Sequence, residues 1–130
     1  TFDLVLFGGT GDLSTRKLIP ALYRQETVLS LDDSSQIIGV GTKDLTNDEY
    51  IKVIQNSLVK FFPGFNNQAD SWKRFSQRIK YNKLDINLDE DWKKFVKTKT
   101  DRVTVFYLAI PPNLYKLISI KLKEHQSNQS

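Results

Sequence analysis

The sequence predicts an α/β fold, a parallel sheet covered by helices on both faces, and two observations carry that prediction. Short apolar runs alternate with longer amphipathic stretches along the chain, and the first apolar run opens directly into a glycine-rich turn. A parallel connection has to cross over the sheet, so a strand–helix alternation repeated four times puts helices on both sides.

Asp3-Leu-Val-Leu-Phe7 has the continuous apolar character of a buried parallel strand and ends at Gly8. Leu18, Ile19, Leu22, Tyr23 and Gln25 then recur at helical spacing, which predicts a helix over residues 12–25, capped by Asp12 or Ser14. Pro20 removes an amide donor and is expected to kink or divide that helix. The turn-rich Asp32-Asp33-Ser34-Ser35 leads into a second strand, Gln36-Ile-Ile-Gly-Val40. Thr46 and Glu49 match a capping box, and Tyr50, Val53, Ile54, Leu58 and Phe61 fall on one helical face until Pro63 and Gly64 stop it. A shorter helix carries Trp72, Phe75 and Ile79, the stretch from Ile79 to Leu84 reads equally as helix end or strand, and Leu84-Asp85-Ile86 reads as a strand leaving the sheet. The acidic run Asp89, Glu90, Asp91 starts a helix with Trp92, Phe95 and Val96 facing inward. Residues 102–109 are strongly β-favouring and are halted by Pro111 and Pro112. Leu114, Leu117, Ile118 and Leu122 define a last helix that frays from Gln126 onward.

A chain of 130 residues with 39% hydrophobic content, 8 Phe, 5 Tyr and 2 Trp can fill one core, so a single domain over 1–130 is expected. No apolar run approaches the roughly 18 residues of a membrane span, and the first residues carry no basic stretch ahead of a signal-type core. A soluble, cytoplasmic protein without a membrane partner is expected. The absence of Cys and the single His exclude a disulfide framework, a thiolate nucleophile and a histidine metal cluster, so redox work here needs a borrowed cofactor. The net charge of +4 favours anionic partners, and its scattering among Asp and Glu suits a phosphate-bearing small molecule rather than nucleic acid.

The segment with chemistry in it is Gly8, Gly9, Thr10, Gly11, Asp12, Leu13 and Ser14, at the junction of the first strand and first helix. Glycines there let backbone amides approach a diphosphate, whose charge the helix N-terminus favours, as in a Rossmann-type dinucleotide fold. Ser14 stands where a third small residue allows close helix-to-strand packing. Glycines at such a turn also serve purely steric ends, and the segment lacks the Gly-Lys-Ser of a Walker loop. At the end of the second strand, Thr42 and Lys43 can meet a ribose 2′-phosphate, and no carboxylate follows the strand immediately. NADP is therefore expected; Asp44 keeps NAD open, and a solvated loop lysine is an equal reading of Lys43.

Four stretches together, residues 7–14, Arg16-Lys17-Leu18-Ile19-Pro20-Ala21-Leu22-Tyr23, residues 37–41 and Phe106-Tyr-Leu-Ala-Ile-Pro-Pro112, resemble the glucose-6-phosphate dehydrogenase family nearly from end to end. The resemblance implies that residues 8–14 cradle the cofactor diphosphate, that Thr42 and Lys43 face the 2′-phosphate, and that Asp85 and Ile86 border the adenosine. It further implies that Tyr107, Ala109 and Pro111 line the nicotinamide side and that Lys17 orients the sugar phosphate or the cofactor, a helix-surface lysine being the other reading. The activity implied is oxidation of glucose 6-phosphate with NADP⁺ in the pentose phosphate pathway, by a homo-oligomeric parent enzyme. Two departures stand out. Thr42 occupies the position where the family usually has Arg, and the family's Glu-Lys-Pro and Asp-His-Tyr-Leu-Gly-Lys motifs have no counterpart. No catalytic residue is assigned in this sequence, His125 being read as a surface residue, and the substrate domain is expected to lie outside it. The chain alone is expected to be inactive. A non-catalytic, NADP-binding regulatory module of the same fold is the alternative.

Overall fold

The computed structural model describes residues 2–29, 34–67, 69–97 and 103–126. The expected turn at Asp32 and Asp33, the start of the last strand at Arg102, the inward side chain of Val96 and the frayed end beyond Gln126 lie outside what is described. Strands β1 (Phe2–Phe7), β2 (Gln36–Gly41), β3 (Ile79–Lys83) and β4 (Val103–Leu108) form a four-stranded sheet in the order β3-β2-β1-β4. Every pairing is parallel, with Leu6 opposite Gly39 and Tyr107, and Gly39 opposite Tyr81.

The two-residue alternation of β1 divides the core. Leu6 points with Ile37, Ile79 and Tyr81 toward helices α1 (Ile19–Leu29), α2 (Asn47–Phe61) and α3 (Ala69–Gln77), where Tyr23, Tyr50, Ile54, Leu58 and Phe75 meet them. Val5, Phe7 and Val40 point the other way, toward Trp92 and Phe95 of α4 (Asp89–Lys97) and Ile118 of α5 (Tyr115–Gln126). Helices on both faces of a parallel sheet are thus what the structure shows. Lys121 of α5 donates to Asp89 of α4 and holds that carboxyl below its ordinary range. His125, read from sequence as a surface residue, is half-buried and stacks on Trp92, ring centroids 6.2 Å apart.

Several boundaries differ from the sequence reading. The first helix runs on to Leu29 instead of ending at Gln25, while its division at Pro20 is as expected and takes the form of a π-helical turn over Ser14–Leu18. In that turn the Ile19 amide donates to the Ser14 carbonyl, and Pro20 has no N–H to offer Thr15; Ser57 of α2 donates to the Thr15 carbonyl instead. Neither Asp12 nor Ser14 caps this helix: Asp12 pairs with Arg16 at 2.8 Å, and Ser14 hydrogen-bonds elsewhere. Ile79 belongs to β3, not to the helix before it. Its spacing from Phe75 is helical, but the chain turns at Arg78 and Ile79 enters the sheet beside Ile37. The strand expected at Leu84, Asp85 and Ile86 is a turn: Leu84 still donates to Gly41, and then the Asp85 carboxylate accepts from the Asn87 amide and bends the chain. Leu114 lies in a 3-10 turn, Pro112–Leu114, ahead of α5. The capping box at Thr46 is present as expected, with both reciprocal hydrogen bonds made.

At the amino-terminal edge of the sheet, Arg78 is enclosed between α1 and the start of β2. Its guanidinium donates to both carboxylate oxygens of Glu26, at 2.7 and 3.4 Å, and to the Ser35 carbonyl at 3.1 Å. Both charged side chains are sealed from solvent, 2% and 0% exposed. Among the described residues no helix is long and apolar enough to cross a membrane.

Candidate functional site

The carboxyl ends of the four strands converge on one rim of the sheet, and each residue singled out in the sequence lies there or on the helix that leaves it. Gly8 follows β1 with φ +81°, a backbone region that glycine adopts freely and other residues resist. A Cβ at this position would stand 2.2 Å from the Ala109 carbonyl oxygen, so the chain leaving β4 crosses directly over Gly8. Ala109 in turn donates to the Phe7 carbonyl, which fixes that crossing.

The turn is held mostly by its own backbone. The amides of Gly8 and Gly9 both donate to the Val40 carbonyl, at 2.9 and 3.2 Å, and that of Gly11 donates to the Gly8 carbonyl at 2.9 Å. The Ser14 hydroxyl, fully buried, donates to the same Gly8 carbonyl at 2.8 Å. Three glycine amides are therefore committed to the fold. The donors at the mouth of the turn are those of the helix start at residues 12–14, where the first turn of a helix carries N–H groups with no intrahelical acceptor. The helix dipole adds its positive end there.

The other segments are arranged around this turn. Thr42 and Lys43 are exposed just past β2. Asp85 and Ile86 form the turn after β3, pinned by Asp91 accepting from the Asp85 amide and by Trp92 donating to the Ile86 carbonyl. Tyr107 is close to half exposed on the α1 side of β4, along an apolar groove with Leu4, Leu6, Leu18 and Leu22. Pro111 is exposed beyond it. Lys17 is exposed on the π-helical turn, and Thr10 lies near Gly41, whose Cβ position would be 3.9 Å from the threonine hydroxyl. Among the described residues no group of His, Asp and Glu is gathered as a metal site would require.

Sequence reasoning treated Tyr50 only as a core residue, and it lies directly under the turn. Its hydroxyl donates to the Gly9 carbonyl at 2.9 Å, and burial raises its phenol above the ordinary range. Room for the ring comes from glycines: a Cβ on Gly39 would stand 2.3 Å from the ring carbon Cζ, and one on Gly9 would stand 2.6 Å from the hydroxyl. Gly39 in the interior of an apolar strand was the available signal, since glycine there marks a close approach by another group.

The family model described as "Glucose-6-phosphate dehydrogenase, NAD binding domain" matches residues 5–130. The chain belongs to the glucose-6-phosphate dehydrogenase family. Among its relatives, the glucose-6-phosphate 1-dehydrogenase of Rhizobium meliloti (strain 1021) is 36% identical over 129 residues, covering 96% of this chain and 26% of that protein. That of Buchnera aphidicola subsp. Baizongia pistaciae (strain Bp) is also 36% identical, covering 98% of this chain and 26% of the relative. A crystal structure of glucose-6-phosphate 1-dehydrogenase from Mycobacterium avium superimposes with a TM-score of 0.86 at 27% identity, over 96% of this chain and 27% of that one. A glucose-6-phosphate dehydrogenase in complex with its substrate glucose 6-phosphate superimposes with a TM-score of 0.84 at 25% identity, over 95% of this chain and 27% of that one. The chain thus spans about a quarter of the length of the glucose-6-phosphate dehydrogenases it matches.

Proposed function

We propose that this chain is the coenzyme-binding part of a glucose-6-phosphate dehydrogenase and that it seats NADP⁺ across the rim described above. The observation that carries the reading is the meeting of four chain segments, residues 8–14, 42–43, 85–86 and 107–111, at the carboxyl ends of all four strands of one parallel sheet. Ligands of open α/β sheets sit at that edge. The turn suits a dinucleotide: Gly8 has the positive φ of a tight turn, Ser14 packs the helix close against the strand, and the helix start offers amides and a positive dipole to the diphosphate. Thr42 and Lys43 meet the 2′-phosphate, one by hydrogen bond and one by charge; Asp85 and Ile86 border the adenosine; and Tyr107, Ala109 and Pro111 line the nicotinamide side. Lys17 orients the sugar phosphate or the cofactor from the helix that follows the turn.

When bound, the nicotinamide supplies the hydride acceptor. The parent reaction moves hydride from C1 of glucose 6-phosphate to NADP⁺ and the C1 hydroxyl proton to a base, giving 6-phosphogluconolactone and NADPH. No residue of this chain takes that proton, so the domain by itself turns over nothing. The full-length enzyme is, on this reading, a cytoplasmic homo-oligomer without nucleic-acid or membrane partners.

Calorimetric titration with NADP⁺ and NAD⁺ at identical salt tests the proposal. Tighter binding of NADP⁺ supports it, and tighter binding of NAD⁺ keeps the site but reverses the roles given to Thr42 and Lys43. Binding of neither overturns the cofactor site, and sustained NADPH formation from glucose 6-phosphate by this chain overturns its inactivity.

A further inference from the structure

Two tyrosines, packed ring against ring at a 41° tilt, lie beneath the rim, and each hydroxyl reaches a different part of it. Tyr50 of α2 is fully buried and donates to the Gly9 carbonyl of the glycine turn. Tyr81 of β3, 8% exposed, stands with its ring centroid 4.9 Å from that of Tyr50 and donates to the Lys43 carbonyl at 2.8 Å. The strands leave space for the pair: Gly39 faces the Tyr50 ring, and a Cβ on Gly41 would come within 3.0 Å of the Tyr81 hydroxyl. The pair is itself anchored to α2, because the Tyr81 amide donates to Asn47 at 2.8 Å. Thr42, Lys43 and Asp44 are exposed at the surface. The Tyr81 hydroxyl ties the main chain of this loop to the core between two other anchors, the Leu84 amide on the Gly41 carbonyl and the Leu45 side chain packed against the core.

We propose that Tyr50 and Tyr81 are positioning residues that set the spacing between the diphosphate turn and the 2′-phosphate loop, and that Tyr81 thereby helps determine NADP⁺ over NAD⁺. The inference rests on the cofactor reading given above. Its physical basis is preorganisation: a loop already fixed before the ligand arrives loses less conformational freedom on binding, and the saving appears as affinity. The Lys43 backbone matters only to a ligand that reaches the loop with a phosphate. The Gly9 backbone matters to any dinucleotide.

The test uses this chain with Tyr50→Phe and Tyr81→Phe, which keep both rings and remove one hydroxyl each. Titration with both cofactors is expected to show Tyr81→Phe weakening NADP⁺ about fivefold to tenfold and NAD⁺ less than twofold, the range that loss of one hydrogen bond sets. Tyr50→Phe is expected to weaken both cofactors alike. Equal weakening of both by Tyr81→Phe, or no change, overturns the inference while leaving the cofactor site standing. Hydrogen exchange of the backbone keeps the test decisive if the parent chain binds neither cofactor and the cofactor reading itself fails. Faster exchange over residues 42–44 in Tyr81→Phe and over residues 8–11 in Tyr50→Phe supports the positioning role; unchanged exchange overturns it.

Discussion

The sealed Glu26–Arg78 pair allows a stability prediction that is independent of the cofactor site. Glu26→Gln keeps the shape of the side chain and one acceptor oxygen, but it removes the negative charge that faces the enclosed guanidinium at 2.7 Å. Breaking a buried ion pair on one side costs about 3–5 kcal/mol, because the remaining charge stays desolvated. Domains of this size are stable by about 5–15 kcal/mol, so the substitution removes roughly a third to a half of a mid-range value. At roughly 4 °C per kcal/mol for a chain of this length, the melting temperature is expected to fall by about 12–20 °C. Urea unfolding of the parent, Glu26→Gln, and the double variant Glu26→Leu with Arg78→Met separates charge from shape. The double variant replaces the pair by apolar groups and is expected to recover most of the loss, short of about 1 kcal/mol for the hydrogen bond to the Ser35 carbonyl. A Glu26→Gln variant within about 1 kcal/mol of the parent would refute the reasoning. So would a double variant as unstable as the single one. Because the pair sits at the edge of the sheet opposite the proposed cofactor rim, cofactor affinity of the folded single variant is expected to stay unchanged.

Three further outcomes follow from the geometry. Gly8→Ala combines positive-φ strain with a backbone contact at 2.2 Å and is expected to cost about 3 kcal/mol or more and to abolish cofactor binding, read by urea unfolding and calorimetry. Thr46→Ala removes one half of the capping box and is expected to lower stability by about 1 kcal/mol in thermal melts, with cofactor affinity untouched. Burial raises the phenols of Tyr50 and Tyr81 above the ordinary 10.0, so the stability they contribute is fully present below that pH and is lost as pH rises through the higher folded-state values. Unfolding free energies measured over the alkaline range should fall from about pH 10 upward. Tyrosinate absorbance that reports these two groups ionising while the chain stays folded would contradict this.

The parallel architecture and the glycine turn were legible because both rest on local signals: apolar runs, a capping box, and glycines at one strand-to-helix junction. Residues 8–14 and 42–43 stand out from the glycine turn and the end of the second apolar run, whereas Asp85, Ile86, Tyr107, Ala109, Pro111 and Lys17 were named through the family resemblance. Other features depended on partners far away in the chain. Ser14 reads as a helix cap beside its neighbours, yet its hydroxyl turns back to Gly8, and although Pro20 announces the division of the first helix, it does not reveal that Ser57 supplies the missing donor. Ile79 sits four residues after Phe75, so spacing alone assigns it to a helix, whereas the sheet claims it through Ile37. Tyr50 and Tyr81 escaped notice for the same reason. Each looks like a core aromatic until the glycines opposite and the carbonyls above are known.

The strand order has a consequence for how the domain is made. β1 is the first of these four strands to be synthesised, yet it lies inside the sheet, and its pairing of Phe2 with Val103 waits for the whole stretch between them to emerge. At roughly 5–20 residues per second on the ribosome, one side of β1 therefore stays bare for several seconds. During that interval β2 can already cover its other side, so the growing chain holds half of a sheet before the strand that closes over Gly8 exists. The glycine turn acquires its final shape only when β4 arrives, which makes the rim a late product of folding and the bare flank of β1 the stretch most in need of protection from other chains.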